Sequence, residues 1–310
     1  MAPSGARPIV VASVAFGLLA ACTQRDSSST TSPARSSASA EPPLSPSAST
    51  ATTAEAPPVA PPVASFPVPA STEGCPEGMV RVEGEYCPAV VQECLEWHDE
   101  VKRNKASYVS KRCLKFAPSK CVASKVHVAY CMDRFEFPNR VGELPRILTS
   151  WRQAKKLCEA DGKRLCTADE FNFACEGPEM LPYVYGHERR SGDPCNTDRE
   201  YRFPDMSRQL KTYDRCMETP RCKAEIERLD QRERIGDRKT CVSWAGVYDL
   251  NGNVNEWVDL PSEKPPNRSG LKGGWWGPIR CACRPLVTFH KEEDYGYEQG
   301  FRCCKDASPG

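Results

Sequence analysis

The sequence predicts a loop-rich α+β domain, stapled by disulfides and held away from a membrane by a long tether. Three observations carry this: an apolar leader that ends at a cysteine, an abrupt change of composition at Cys75, and only two clear helix patterns among short runs broken by Gly, Pro and Asn.

The leader comes first. Arg7 is the only charge ahead of the apolar run IVVASVAFGLLA, which is too short to span a bilayer and suits the core of an export signal. LAAC, at 19–22, resembles the lipobox of bacterial lipoproteins. The resemblance implies removal of 1–21 as a signal peptide, acylation of Cys22 and anchoring to a membrane by lipid. Thr23 stands where an inner-membrane retention Asp would be, so the expected place is the cell envelope, at the outer membrane or cell surface and facing the periplasm or exterior.

Residues 22–72 follow as a disordered tether. Beyond Cys22 it is dominated by Ser, Thr, Ala and Pro; ten of the 28 prolines fall here and Phe66 is the only aromatic, so it has too little apolar surface to fold. A coil of this length spans roughly 40 Å.

The remaining segment, 73–310, holds 17 of the 18 cysteines and is long enough for one domain with its own core. Seventeen is odd, so at most eight bridges form and one thiol remains. With 42 basic and 41 acidic residues, the chain has no excess charge to attract nucleic acid, and none is expected as a partner. Cys281 and Cys283 form a C-x-C pair behind GGWW. In a strand both thiols face one way and can meet one metal ion or two disulfide partners; outside the cytoplasm, among fifteen other exported cysteines, disulfide ends are favoured. Adjacent Cys303 and Cys304 point to opposite faces and need different partners, for which Cys166, Cys113, Cys121 and Cys131 are available.

Ser150 caps a predicted helix with Trp151, Ala154, Leu157 and Cys158 on one face and Gly162 as its stop. Thr167 to Glu170 forms a capping box for a second helix ending near Gly177. MVRVEG and GVYDL read as short strands. Residues 199–240 are charged and Arg-rich, partly helical, and read as a surface insertion enclosing Cys216 and Cys222.

GMVRVEG, DRFEFPN, SWRQAKKLCEADGKRLCTADEFNFAC, PYVYG, GVYDLNGNVNEWV, KGGWW and GFRC follow one another in an order that resembles the formylglycine-generating enzyme, or sulfatase-modifying factor, family. That resemblance implies a C-type-lectin-like α+β fold. In catalytic members two cysteines behind the Gly-Gly pair bind copper(I) and oxidise a sulfatase cysteine to formylglycine. Here Trp275, Trp276, Gly277 and Pro278 fill that place, so no catalytic residue is assigned, Cys281 and Cys283 being the only weak candidates. The resemblance also implies disulfides between Cys158 and Cys303, and between Cys175 and either Cys281 or Cys283.

Family members also bind calcium. The positions implied here are Asn253, Glu256 and the carbonyl of Val254, with Asn196 and Thr197 as a second set; oxygen donors of this kind suit calcium, and a plain Asn-Gly turn is the competing reading. His98, His127, His187 and His290 lack metal-ligand spacing and are expected to be ordinary polar residues. Two function classes follow: a non-catalytic envelope module presenting loops to a protein, peptide or glycan, and a copper-dependent oxidase with relocated thiols.

Overall fold

The computed structural model describes residues 71–99, 112–208 and 210–308; the export signal, Cys22 and nearly all of the tether lie outside the described residues. Among the described residues no helix is long and apolar enough to cross a membrane.

In chain order the described strands are β1 (Met79–Tyr86), β2 (Val90–Val91), β3 (Cys94–Trp97), β4 (Cys113–Phe116), β5 (Lys120–Cys121), β6 (Val126–Asp133), β7 (Arg164–Leu165), β8 (Asn255–Asp259), β9 (Ser269–Lys272), β10 (Gln299–Phe301) and β11 (Cys303–Asp306). One sheet has the order β1-β6-β11-β7 and a second the order β10-β8-β9. β1 and β6 pair antiparallel from Met79↔Asp133 to Tyr86↔Val126. β11 lies against β6 on one side and β7 on the other, so the last strand closes the sheet that the first one opens. Two ribbons, β2-β5 and β3-β4, sit apart from the main sheets.

α1 (Trp151–Ala160) and α2 (Ala168–Glu176) start as the sequence predicts. Ser150 accepts from the backbone of Gln153 while Gln153 returns the bond, and Thr167 and Glu170 do the same. α1 buries Trp151, Ala154 and Cys158 on one face; α2 is buried from Phe171 to Glu176 and carries Phe171, Phe173, Ala174 and Cys175 into the main core.

Two expectations differ from what is observed. GVYDL is not a strand: Gly246 and Asp249 have φ of +79° and +59°, which break extended backbone, and the segment keeps only an isolated bridge at Tyr248 while burying Val247 and Leu250. Nor is 199–240 only a surface excursion. It forms α3 (Tyr213–Met217) and α4 (Pro220–Leu229), tied by Cys216–Cys222, and it buries Cys216, Cys222, Ile226 and Leu229 in one cluster with Ile147, Trp275, Trp276 and Tyr297. Arg221, Lys223, Glu227 and Arg228 of α4 are exposed, Glu225 is buried and paired with Arg228, and Ile226 and Leu229, spaced as one helical face requires, reach the core.

Eight disulfides join sixteen cysteines among the described residues. Three of them, Cys158–Cys303, Cys166–Cys304 and Cys175–Cys283, tie the helical region to the end of the domain.

Candidate functional site

The segment behind β9 is the natural place to look, because the chain there makes a forced turn. Gly273 and Gly274 have φ of +80° and +79°, conformations costly for other residues. A Cβ at Gly274 would lie 2.6 Å from the Cys281 sulfur, so the thiol packs directly on this glycine. Trp275 folds its ring back over Gly277, where a Cβ would meet it at 2.3 Å. Trp276 is fully buried; its ring meets Trp275 edge-on at 5.4 Å, and Tyr297 lies edge-on to Trp275 at 5.9 Å and tilted to Trp276 at 6.0 Å. The backbone is held on both sides. Trp276 N donates to Asn253 O at 3.2 Å, and Arg199 N, from the insertion, donates to Trp276 O at 2.7 Å. The insertion therefore roofs the tryptophan pair, and Tyr201 adds a ring 5.9 Å from Trp275.

The two C-x-C cysteines have different fates. Cys283 is bonded to Cys175 and Cys303 to Cys158. Cys281 is the one free cysteine among the described residues. Its thiol donates to Trp275 O at 3.2 Å, and burial pushes its pKa up to about 11 although the nearby Arg189 guanidinium favours the thiolate. Arg189 is buried too and is committed to Asp198, with two bonds of 2.9 Å, and to Ile279 O. A copper(I) centre of the kind the family uses needs a pair of thiolates with an open position. One buried, protonated thiol beside a guanidinium, with its neighbour locked in a disulfide, does not fit that ion.

The loop Asn251–Glu256 brings the two sets of calcium positions together. Asn196 and Asn253 are both buried, and Asn196 Nδ2 donates to Asn253 Oδ1 at 3.0 Å. Asn253 Oδ1 also accepts from Glu233 N at 2.9 Å, and Asn253 Nδ2 donates to Glu136 Oε2 at 2.7 Å. Asn196 Oδ1 accepts from Arg199 Nε at 2.9 Å. Gly252 is essential to this closeness, since a Cβ there would lie 2.3 Å from Asn196 O. Thr197 is buried alongside, its hydroxyl accepting from Gly192 N. Val254 N donates to the other oxygen of Glu136. Glu256 stands slightly apart: both its oxygens are taken by Arg302, at 2.6 Å each, with both side chains almost wholly buried. Burial, together with neighbouring Asp249 and Glu256, holds the Glu136 carboxyl well above the usual carboxylate range, and burial pushes Asp249 up to about 7. The side-chain oxygens that calcium would use are thus already filled by N–H donors, and the donor set as arranged does not fit the ion.

Sequence reasoning missed Arg189, Asp198, Glu136, Glu233 and Arg302 as members of these clusters. Arg302 stands beside a cysteine in GFRC, Glu136 lies within DRFEFPN and Asp198 follows Thr197, whereas Arg189 and Glu233 have no such local signal. The histidines are spread: His127 lies exposed beside Glu83 and Glu85, and His290 beside Asp294. Among the described residues no group of three or more His, Cys, Asp or Glu is placed to hold a metal.

A glycine-turned segment filled by aromatic rings, a disulfide-tied end and an Asn-Gly-Asn loop knotted by hydrogen bonds define a protein of the loop-rich α+β, C-type-lectin-like class. Residues 105–307 match the sulfatase-modifying factor enzyme 1-like domain, and the chain belongs to that family. Among solved structures, CarF is 12% identical over 75% of this chain and 99% of its own, with a TM-score of 0.48. PvdO from Pseudomonas aeruginosa is 15% identical over 76% and 95%, with a TM-score of 0.43. Treponema denticola variable protein 1 is 13% identical over 73% and 99%, at 0.36. No curated protein sequence matches the chain.

Proposed function

We propose that this is a non-catalytic envelope lipoprotein: a binding or scaffold module of the sulfatase-modifying factor family, anchored through lipid on Cys22 and presented on the 22–72 tether to a protein, peptide or glycan. The observation that carries the reading is the segment behind Gly274. Where the family's oxidases place a thiolate pair, this chain has Trp275 and Trp276 packed beneath the insertion, and of the two following thiols only Cys281 is unbonded. Oxidation of a substrate thiol to an aldehyde by oxygen needs a metal held open to both reactants, and a lone buried thiol supplies neither the second soft ligand nor the access.

The test is direct. The purified mature protein, given copper, oxygen and reductant, is expected to leave a sulfatase-motif peptide unchanged in mass and to bind copper(I) no better than its Cys281→Ser variant. Conversion of the peptide cysteine to formylglycine, lost in Cys281→Ser, would establish the oxidase instead.

A further inference from the structure

We propose that the insertion at 199–240 does inside this domain what a bound cation does in a metal-organised loop: it fixes Asn251–Glu256 by giving positive charge and N–H donors to the oxygens that calcium would otherwise bind, so the domain folds without calcium. Asn253 Oδ1 receives Glu233 N, and Asn196 Oδ1 receives Arg199 Nε; both donors belong to the insertion. The insertion also gives an acceptor, since Asn196 Nδ2 donates to Gln231 O at 2.9 Å. Arg199 is itself steadied by Glu233, whose Oε1 it meets at 2.6 Å, so the two insertion residues that grip the loop also grip each other. Glu256 has its own internal cation in Arg302.

Each asparagine amide is also used in a sense that a metal site would not tolerate. Asn253 donates through Nδ2 to the Glu136 carboxyl and accepts through Oδ1 from two N–H groups. A cation needs the oxygen free; this network needs both ends of the amide. That gives a substitution whose sign differs between the two cases. Asn253→Asp keeps the oxygen that a cation would bind and improves it with charge. In the observed network it removes the donor to Glu136 and sets two carboxyl groups against each other in a buried site.

Thermal unfolding of the full mature chain, stripped with EGTA and then measured in EGTA or in excess CaCl2, is expected to give the same Tm in both. Arg199→Met is expected to lower Tm by several degrees equally in both buffers. Asn253→Asp should be less stable than wild type in both, with no recovery in calcium. A stabilising calcium site at a hundredfold excess over its Kd would raise Tm by roughly 5–10 °C for a domain this size. A shift of that size in wild type overturns the proposal, as does rescue of Asn253→Asp by CaCl2. An Arg199→Met protein with wild-type Tm overturns the role of the insertion. If Asn253→Asp fails to fold in either buffer, the wild-type and Arg199→Met comparisons still decide.

Discussion

Removal of the Cys158–Cys303 bond is a perturbation whose size follows from the topology of the cross-links. Taken alone, a bridge over 145 residues constrains the unfolded chain by about 5 kcal/mol in the chain-entropy treatment. Cys166–Cys304 nevertheless spans almost the same loop. While it is intact, Cys158 and Cys303 are already joined by a path of eight residues from 158 to 166 and one from 303 to 304. A loop of about nine residues contributes only ~2.6 kcal/mol, and the same holds for removing Cys166–Cys304 while its neighbour stays. With both gone, the next tie is Cys175–Cys283, through a path of about 30 residues, and the second removal costs ~3.6 kcal/mol. The two bonds together are therefore worth about 6 kcal/mol, about 1 kcal/mol more than the two single losses combined. Equilibrium urea unfolding of Cys158→Ala/Cys303→Ala, Cys166→Ala/Cys304→Ala and the fourfold variant measures this, because the packing lost with each sulfur pair cancels in the cycle. Single-pair losses near 5 kcal/mol each, with a fourfold loss near 10, would show two independent loops and refute the parallel arrangement.

Two further outcomes follow from the remaining cysteines. With its pKa pushed up to about 11 by burial, Cys281 is almost wholly protonated at neutral pH; native protein should react negligibly with iodoacetamide at pH 8, the rate should climb about tenfold per pH unit toward 10, and denaturant should release one thiol per domain. Fast, pH-independent labelling at pH 7 would mean an activated thiol and contradict the inert role given to it here. For Cys22, metabolic labelling with a clickable fatty acid should mark the wild-type protein and not Cys22→Ala; equal labelling of both would remove the lipid anchor from the reading.

What the sequence reveals depends on how local the physics is. Ser150 and Thr167 announce α1 and α2 because a capping box closes within four residues, and the helical faces that follow need only their own spacing. GVYDL fails as a strand for an equally local reason that composition hides: Asp249 takes a left-handed backbone that Asp tolerates, and no pattern of apolar residues reports it. The partner of Cys175 is a different kind of question. Cys281 and Cys283 are two residues apart and chemically alike, so only the path of the glycine turn decides between them: Gly274 holds the Cys281 sulfur against itself and leaves Cys283 to reach α2. The insertion was the least legible element, since its charge marks it as surface while two apolar residues one helical turn apart, Ile226 and Leu229, send it into the core. Its grip on Asn253 is invisible in the sequence, because one donor is the backbone of Glu233, which any residue possesses. A loop that looks built for oxygen coordination can thus be satisfied by the chain itself, and which of the two occurs is settled by a segment some twenty residues away whose sequence names no ligand at all.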